Sequence, residues 1–313
     1  MSEVYSRIAG TGSYLPEKVL SNDDLAKIVD TSDEWIFPRT GMKKRHIVAE
    51  GETASSMAVA ASLRALEAAG IGASEIDLII LATTTPDNIF PATACRVQAL
   101  LGATCPAFDV QAVCSGFAYA LVVADAMMKS LGYKRALVIG TEAISTIVDW
   151  TDRATCVLFG DGAGAVVLEA TSAKTGILAS RLEADGLNYD ILKTSEETGK
   201  IVMDGKEVFR IAVSRLPEIA NATMAAAGWN SGMLDWFIPH QANIRIIDAA
   251  VKRLGLSPDK VIKTITEQAN TSAASIGISL DMSVRSGKIK RGDKILLAAM
   301  GGGFTLGALA LEY

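Results

Sequence analysis

The stretch Ala68-Ala69-Gly70-Ile71-Gly72-Ala73-Ser74-Glu75-Ile76-Asp77-Leu78-Ile79-Ile80-Leu81-Ala82 has a counterpart late in the chain, Ala226-Ala227-Gly228-Trp229-Asn230-Ser231-Gly232-Met233-Leu234-Asp235-Trp236-Phe237-Ile238. In each copy an Ala-Ala-Gly ends a helical pattern, the first of which starts near Thr53. An aspartate follows seven residues after the glycine and opens an apolar strand. Gly70 and Gly228 read as left-handed helix stops. Both halves then repeat loop, helix, strand. The helices fall near Ala92–Leu101 and Cys114–Leu131 in the first half, and near Ala242–Leu254 and Ala273–Arg285 in the second. Each half closes on a glycine-rich turn feeding an apolar strand, Gly160-Asp161-Gly162-Ala163-Gly164 in one and Gly301-Gly302-Gly303-Phe304 in the other.

Strands alternating with helices predict α/β layers with mostly parallel sheets. Short continuous apolar strands are expected where helices cover both faces. The duplication predicts two similar halves, residues 1–172 and 173–313, meeting near Thr171–Thr175 with the site at their junction. The polar segment Leu187–Lys206 reads as a surface excursion.

Composition narrows the function. With 50% hydrophobic and 21% charged residues, 313 residues suffice for a large core. A net charge of −5 leaves no global basic field for nucleic acid. Four cysteines without a C-x-x-C pair, and only His46 and His240, argue against a metal site. The segment Met1–Ile8 lacks the apolar core of a signal peptide, and no uncharged run approaches the ~20 residues that span a bilayer. A reducing cytoplasm with free thiols is the expected compartment.

Chemistry concentrates at three strand ends. In Asp109-Val110-Gln111-Ala112-Val113-Cys114-Ser115-Gly116-Phe117-Ala118 an apolar run breaks at a small-residue corner and a long helix begins. That puts Cys114 on the first residues of a helix, where free N–H groups and the dipole favour a nucleophilic thiolate. Cys95, Cys105 and Cys156 read instead as small apolar core residues. His240 follows the strand Phe237-Ile238-Pro239, and Asn270 precedes the second half's counterpart of the Cys114 helix. Each has an ordinary reading, a structural histidine and a turn or cap asparagine. A thiol with a histidine and an amide is also an arrangement for acyl transfer. Gly301-Gly302-Gly303 is either a tight turn or a source of backbone N–H groups for an oxyanion. Gly160–Gly164 leads into a strand rather than a helix, so it reads as structural and not as a dinucleotide site.

Taken in order, Trp35-Ile36 with Arg39-Thr40-Gly41, Cys114-Ser115-Gly116, Gly160–Gly164, His240-Gln241-Ala242-Asn243, Asn270-Thr271-Ser272-Ala273-Ala274-Ser275 and Gly301-Gly302-Gly303-Phe304 resemble the β-ketoacyl-[acyl carrier protein] synthase III family of thiolase-like condensing enzymes. The resemblance spans nearly the whole chain. It implies a five-layered αβαβα fold and a triad of Cys114, His240 and Asn270. Related elongating enzymes use two histidines, but His46 lies in a basic run. Degradative thiolases use a late second cysteine, and none follows Cys156.

The resemblance further implies that Cys114 takes an acyl group, acetyl first, from an acyl-CoA, with the Cys114 and Gly302 N–H groups holding the oxyanion. Malonyl-[acyl carrier protein] then loses CO2, and His240 and Asn270 hydrogen-bond its thioester oxygen. Coenzyme A is a substrate, and no metal or redox cofactor is implied. Trp35 and Arg153 would sandwich the CoA adenine, Arg39 would meet phosphate, and Asn243 would line the pantetheine tunnel. Phe90 would cap the acyl pocket from the second subunit of a homodimer. Gln241, Arg245, Lys252 and Arg253 would meet the acyl carrier protein; the three cations fall on one face of a predicted helix. Simple packing for Trp35, a core position for Phe90 and solvation for the cations are the plain alternatives. Two other functions stay open: a same-triad enzyme of secondary metabolism, and a non-catalytic partner subunit, which the presence of Cys114 disfavours. Met300 departs from the family by standing where an aromatic residue is common.

Overall fold

The computed structural model describes residues 4–313, so the first three residues of Met1–Ile8 lie outside it. The first half runs β1 (Tyr5–Tyr14), β2 (Val19–Ser21), α1 (Asn22–Leu25), α2 (Asp33–Thr40), β3 (Lys44–His46), α3 (Ala54–Ala69), β4 (Leu78–Ala82), α4 (Thr93–Leu101), β5 (Ala107–Val110), α5 (Gly116–Leu131), β6 (Arg135–Glu142), α6 (Arg153–Cys156) and β7 (Gly162–Thr171). The second runs β8 (Gly176–Ala184), β9 (Leu192–Thr194), β10 (Ile201–Met203), α7 (Gly205–Ala226), β11 (Trp236–Pro239), α8 (Ile244–Leu254), α9 (Ile265–Gln268), α10 (Ser275–Arg285), β12 (Lys294–Gly301) and β13 (Thr305–Glu312).

The large sheets have the orders β1-β7-β6-β4-β5 and β8-β13-β12-β11. The second copies the first strand for strand, with its fifth strand reduced to a parallel bridge between Phe237 and Val261. The parallel-sheet expectation holds only for β6-β4-β5 in the first sheet and β12-β11 in the second. β4 pairs parallel with β5 and β6, and β11 with β12, whereas β7 and β13 lie antiparallel to both neighbours. The reason is the connection. β12 turns straight into β13, and β6 reaches β7 without a helix long enough to carry a parallel crossover.

Local chemistry sets the helix ends. Thr53 and Ser56 cap α3 reciprocally, and Gly70 at φ 69° stops it. Asn243 caps α8, Gly255 at φ 63° ends it, and Ile246, Ile247, Ala250, Val251 and Leu254 form its buried stripe. The predicted starts at Cys114 and Ala273 resolve into single 3-10 turns, Val113–Ser115 and Ser272–Ala274, ahead of α5 and α10.

Burial defines five layers. α3 and α4 cover Ile79, Leu81, Leu137 and Ile139 on one face of the first sheet. α7 and α8 cover Phe237, Leu296, Ala298 and Ala308 of the second. α5 and α10 lie between the sheets against Ile80, Val138, Ile238 and Leu297. The stretch Val113–Leu131 is long and apolar enough to cross a membrane by length and composition. Its place in the middle layer accounts for apolar residues all round it. Close backbone contact requires glycine there: a Cβ on Gly164 of β7 would lie 2.5 Å from the Gly277 carbonyl carbon of α10.

Two further expectations need correction. Cys95 is exposed rather than core, because α4 turns it outward, whereas Cys105 and Cys156 are buried. The polar excursion is only partly surface, since β9 and β10 bring Leu192 and Met203 onto a cavity wall.

Candidate active site

Cys114 sits on a sharp elbow between β5 and α5. Val113 is left-handed at φ 50°, and Ser115 Oγ donates to the Ala112 carbonyl at 2.7 Å, tightening the turn. The second half repeats the elbow at Ser272, φ 46°, ahead of α10. The two elbows pack together, with the position of a Gly116 Cβ only 3.4 Å from Ala273 Cβ. Gly301 closes the third side: a Cβ there would lie 2.7 Å from Cys114 N. The thiol is 6% exposed, and burial pushes it up to about 12, with the Ser272 hydroxyl opposing the rise and the Glu142 carboxylate adding to it. The resting thiolate expected from the helix start is therefore corrected to a thiol. Loss of hydration outweighs the end of one helix.

His240 leaves β11 with its N–H on the Ala298 carbonyl at 2.8 Å. It is 4% exposed, and burial pulls its pKa down to about 3, so the imidazole is neutral. Nδ1 lies 2.6 Å from Ser275 Oγ, which also accepts the Gln241 N–H at 3.4 Å. Donation from Ser275 to Nδ1 leaves the ring hydrogen on Nε2. Asn270 is fixed by its own chain: Oδ1 accepts the Ser272 N–H at 2.9 Å, which leaves Nδ2 to donate. Its backbone carbonyl accepts from Gly160 N at 3.0 Å, so the Gly160–Gly164 turn of one half pins the asparagine of the other. Ser275 is a site residue that its sequence position in the Asn270–Ser275 run signalled but did not assign.

Cys114, His240 and Asn270 line one cavity of about 410 Å3 together with Trp35, Arg39 and Asn243. The guanidinium carbons of Arg39 and Arg153 stand 4.9 and 4.8 Å from the Trp35 ring centroid. An aromatic base between two such planes needs about 7 Å, so Arg153, which stacks on Trp35 and donates to the Asp30 carbonyl at 2.9 Å, leaves no room for one in this arrangement. Asn243 spends its Oδ1 on the Arg245 N–H as the α8 cap. Gly301 rather than Gly302 faces the cavity, as does Lys206, which the sequence reading did not single out.

Phe90 is 84% exposed, so the core reading fails for it. It stands with Ile89 beside a second cavity of about 730 Å3 and not in the Cys114 cavity of its own chain. Arg245, Lys252 and Arg253 are exposed on α8. Arg245 stacks over Phe209 at 5.3 Å, and Arg253 donates to the Val213 carbonyl. Gln241 does not belong with them. It is fully buried, its amide donates to the Pro239 and Ile262 carbonyls, and its oxygen accepts from Thr264 and Ile265 N–H. That amide braces the backbone beside His240 and meets no docking surface.

Two family models match, described as the 3-oxoacyl-[acyl-carrier-protein] synthase III domain over residues 108–186 and its C-terminal domain over residues 224–313. The β-ketoacyl-[acyl-carrier-protein] synthase III of Xanthomonas axonopodis pv. citri is 55% identical, with 99% of each chain covered. The crystal structure of the 3-oxoacyl-[acyl-carrier-protein] synthase III of Aquifex aeolicus superposes with a TM-score of 0.96 at 50% identity, covering 98% of this chain and 100% of that one. The priming β-ketosynthase of the R1128 polyketide pathway gives 0.95 at 38% identity, covering 98% and 96%. With the same five-layered fold and relatives matched end to end, the chain belongs to the β-ketoacyl-[acyl-carrier-protein] synthase III family.

Proposed function

We propose that this condensing acyltransferase initiates fatty acid synthesis by joining an acyl group from coenzyme A, acetyl first, to the two carbons of malonyl-[acyl carrier protein]. The observation that carries the reading is the meeting of Cys114 from one half with His240 and Asn270 from the other in a single cavity that also reaches Trp35 and Arg39. The division into halves 1–172 and 173–313, at the turn from β7 to β8, is part of the same reading.

The Cys114 sulfur attacks the thioester carbonyl and loses its proton to solvent as the bond forms. The N–H groups of Cys114 and Gly302 hold the oxyanion. Gly301, not Gly302, lines the cavity, so the Gly302 donor rests on the family's pattern alone. Coenzyme A leaves as a thiolate and takes a proton from solvent. Malonyl-[acyl carrier protein] follows, and His240 Nε2–H and Asn270 Nδ2–H donate to its thioester oxygen. Neutral imidazole suits this step, because the enolate formed as CO2 departs needs donors and not a base. The carbanion attacks the acyl-cysteine and expels Cys114. Loss of CO2 drives the condensation, so these steps call for no metal or redox cofactor.

Trp35, Arg153 and Arg39 would take the adenine and phosphates, and Asn243 the pantetheine. Arg245, Lys252 and Arg253 would receive the acidic carrier protein despite the net charge of −5. The enzyme would work as a cytoplasmic homodimer in which the partner's Phe90 caps the acyl pocket. Its exposure beside the second cavity supports that role.

The test is intact-protein mass spectrometry after mixing with a panel of acyl-CoAs, with Cys114→Ala as control. An adduct on the wild type alone is expected, and its mass names the primer. No adduct from any acyl-CoA would overturn the reading.

A further inference from the structure

Asn270 owes its backbone and its side chain to different neighbours. The backbone is pinned by strand-like bonds, its N–H on the Leu158 carbonyl at 2.9 Å and its carbonyl on Gly160 N at 3.0 Å. The amide is oriented by a single bond, from the Ser272 N–H to Oδ1 at 2.9 Å. The direction of Nδ2–H therefore follows the direction of the Ser272 N–H. Ser272 stands at φ 46°, a left-handed conformation that a residue with a Cβ keeps only where its surroundings impose it. Its hydroxyl supplies the tie, donating to Glu142 Oε1 at 3.0 Å.

Glu142 ends β6 with no exposed surface, and the steps above leave it unused. Besides Ser272 its oxygens collect the Thr84 N–H at 3.2 Å, the Thr84 and Thr85 hydroxyls at 2.8 Å each, and the Thr83 hydroxyl at 3.3 Å. Thr85 Oγ1 already accepts the Ala143 N–H, and Thr83 Oγ1 the Thr85 N–H, so these hydroxyls have only their hydrogens left to give. Glu142 is an acceptor at every contact, which the ionised carboxylate alone satisfies. It is thereby anchored to the Thr83–Thr85 turn of its own half and holds Ser272 of the other. A glutamine there would keep one accepting oxygen and turn an NH2 towards hydroxyls that need acceptors.

We propose that Glu142 is a positioning residue for the decarboxylation step: through Ser272 it sets the direction in which Asn270 offers its N–H to the thioester oxygen of the malonyl group. The inference rests on Asn270 as a donor to the enolate. Glu142 touches no reacting atom. Its effect is confined to one half of the reaction, because the Cys114 elbow is tied separately, by Ser115 Oγ and Thr305 Oγ1 on the Ala112 carbonyl at 2.7 and 2.9 Å. The negative charge of Glu142 acts on the Cys114 thiol in the opposite sense, holding its ionisation back. Neutralising Glu142 should therefore slow enolate formation while leaving acyl transfer to Cys114 equal or faster. A general loss of packing would slow both.

The experiment reads the two half-reactions apart. Release of CO2 from malonyl-[acyl carrier protein] is measured beside single-turnover acylation by acetyl-CoA for the wild type, Glu142→Gln, Ser272→Ala, Asn270→Ala and the double variant Glu142→Gln/Asn270→Ala. Glu142→Gln and Ser272→Ala are expected to lose about 10–100-fold in kcat for CO2 release, since one well-aimed oxyanion donor is worth about 100–1,000-fold. Their KM should stay within about threefold, and their acylation at the wild-type rate or above it. The double variant should be no slower than Asn270→Ala, because a residue that works through Asn270 has nothing left to position. Unchanged CO2 release in Glu142→Gln, equal losses in both half-reactions, or losses that multiply in the double variant would each overturn the inference. Should Glu142→Gln fail to fold, Ser272→Ala removes only a hydroxyl and decides alone. Wild-type CO2 release by Asn270→Ala would overturn the donor reading and this inference together, whereas a slow Asn270→Ala beside a wild-type-like Glu142→Gln overturns this inference only.

Discussion

Replacing Gly301 by alanine tests whether the position of β12 sets the geometry of the nucleophile. The added Cβ would lie 2.7 Å from Cys114 N, 2.8 Å from Ala112 O and 3.1 Å from Ser115 N. All three are backbone atoms of the elbow, so no side chain can rotate away. Ordinary contact begins at 3.4 Å, so the strand or the elbow must yield by 0.7 Å. Overpacking of this kind costs about 1–3 kcal/mol of stability. A displacement approaching 1 Å at reacting atoms costs roughly 100-fold in rate, so a loss of about 10–100-fold in acyl transfer is expected. The assay is single-turnover acylation of Cys114 beside a thermal melt. Gly287→Ala is the matched control. It has φ 71° and no atom within 4 Å of its Cβ position, so it should lose about 1–2 kcal/mol by backbone strain alone and keep its acylation rate. A folded Gly301→Ala that acylates like the wild type would refute the argument.

Three other outcomes are expected. Ser275→Ala removes the partner of His240 Nδ1 and frees the ring to adopt either tautomer. Condensation kcat should fall about 10–100-fold, the equivalent of a buried hydrogen bond of about 1–3 kcal/mol, with self-acylation near wild type; equal losses in both would count against a tautomer role. Reversing Arg245 to Glu should raise the KM for malonyl-[acyl carrier protein] without changing acylation by acyl-CoA, and unchanged kinetics would sink the docking face. Burial pulls the folded pKa of His240 down to about 3 from its ordinary value of 6.5, so its stabilising contribution is complete above about pH 6.5 and is lost as pH falls towards 3. The wild type should therefore lose about 1.4 kcal/mol per pH unit in that window relative to His240→Gln. Parallel denaturant midpoints for the two proteins would contradict it.

The sequence was most legible where chemistry and local structure coincide. Cys114, His240 and Asn270 each stand at a strand or helix end that residue patterns mark, and the Ala-Ala-Gly repeats disclosed the duplication. What stayed hidden depends on neighbours distant in the chain. Glu142 meets Ser272 across 130 positions, and nothing in the run Ile139-Gly140-Thr141-Glu142 announces a buried carboxylate. Gln241 beside His240 looked available to a partner, yet its amide turns inward to four backbone groups. The ionisation of Cys114 failed for the same reason. A helix start is local and readable, whereas the dryness that outweighs it arises only when both elbows, β11 and β12 have closed around the thiol.

The contact of Gly164 with Gly277 also bears on how the molecule assembles. α10 meets β7 at backbone distance, so docking of the halves has to clear water from the helix face that carries Gly277. The cavity that joins Cys114 to His240 and Asn270 exists only after that docking, because these residues come from opposite halves. Competence to take an acyl group is thus a late event in folding, and recovery of helix content in a refolding chain would precede recovery of activity.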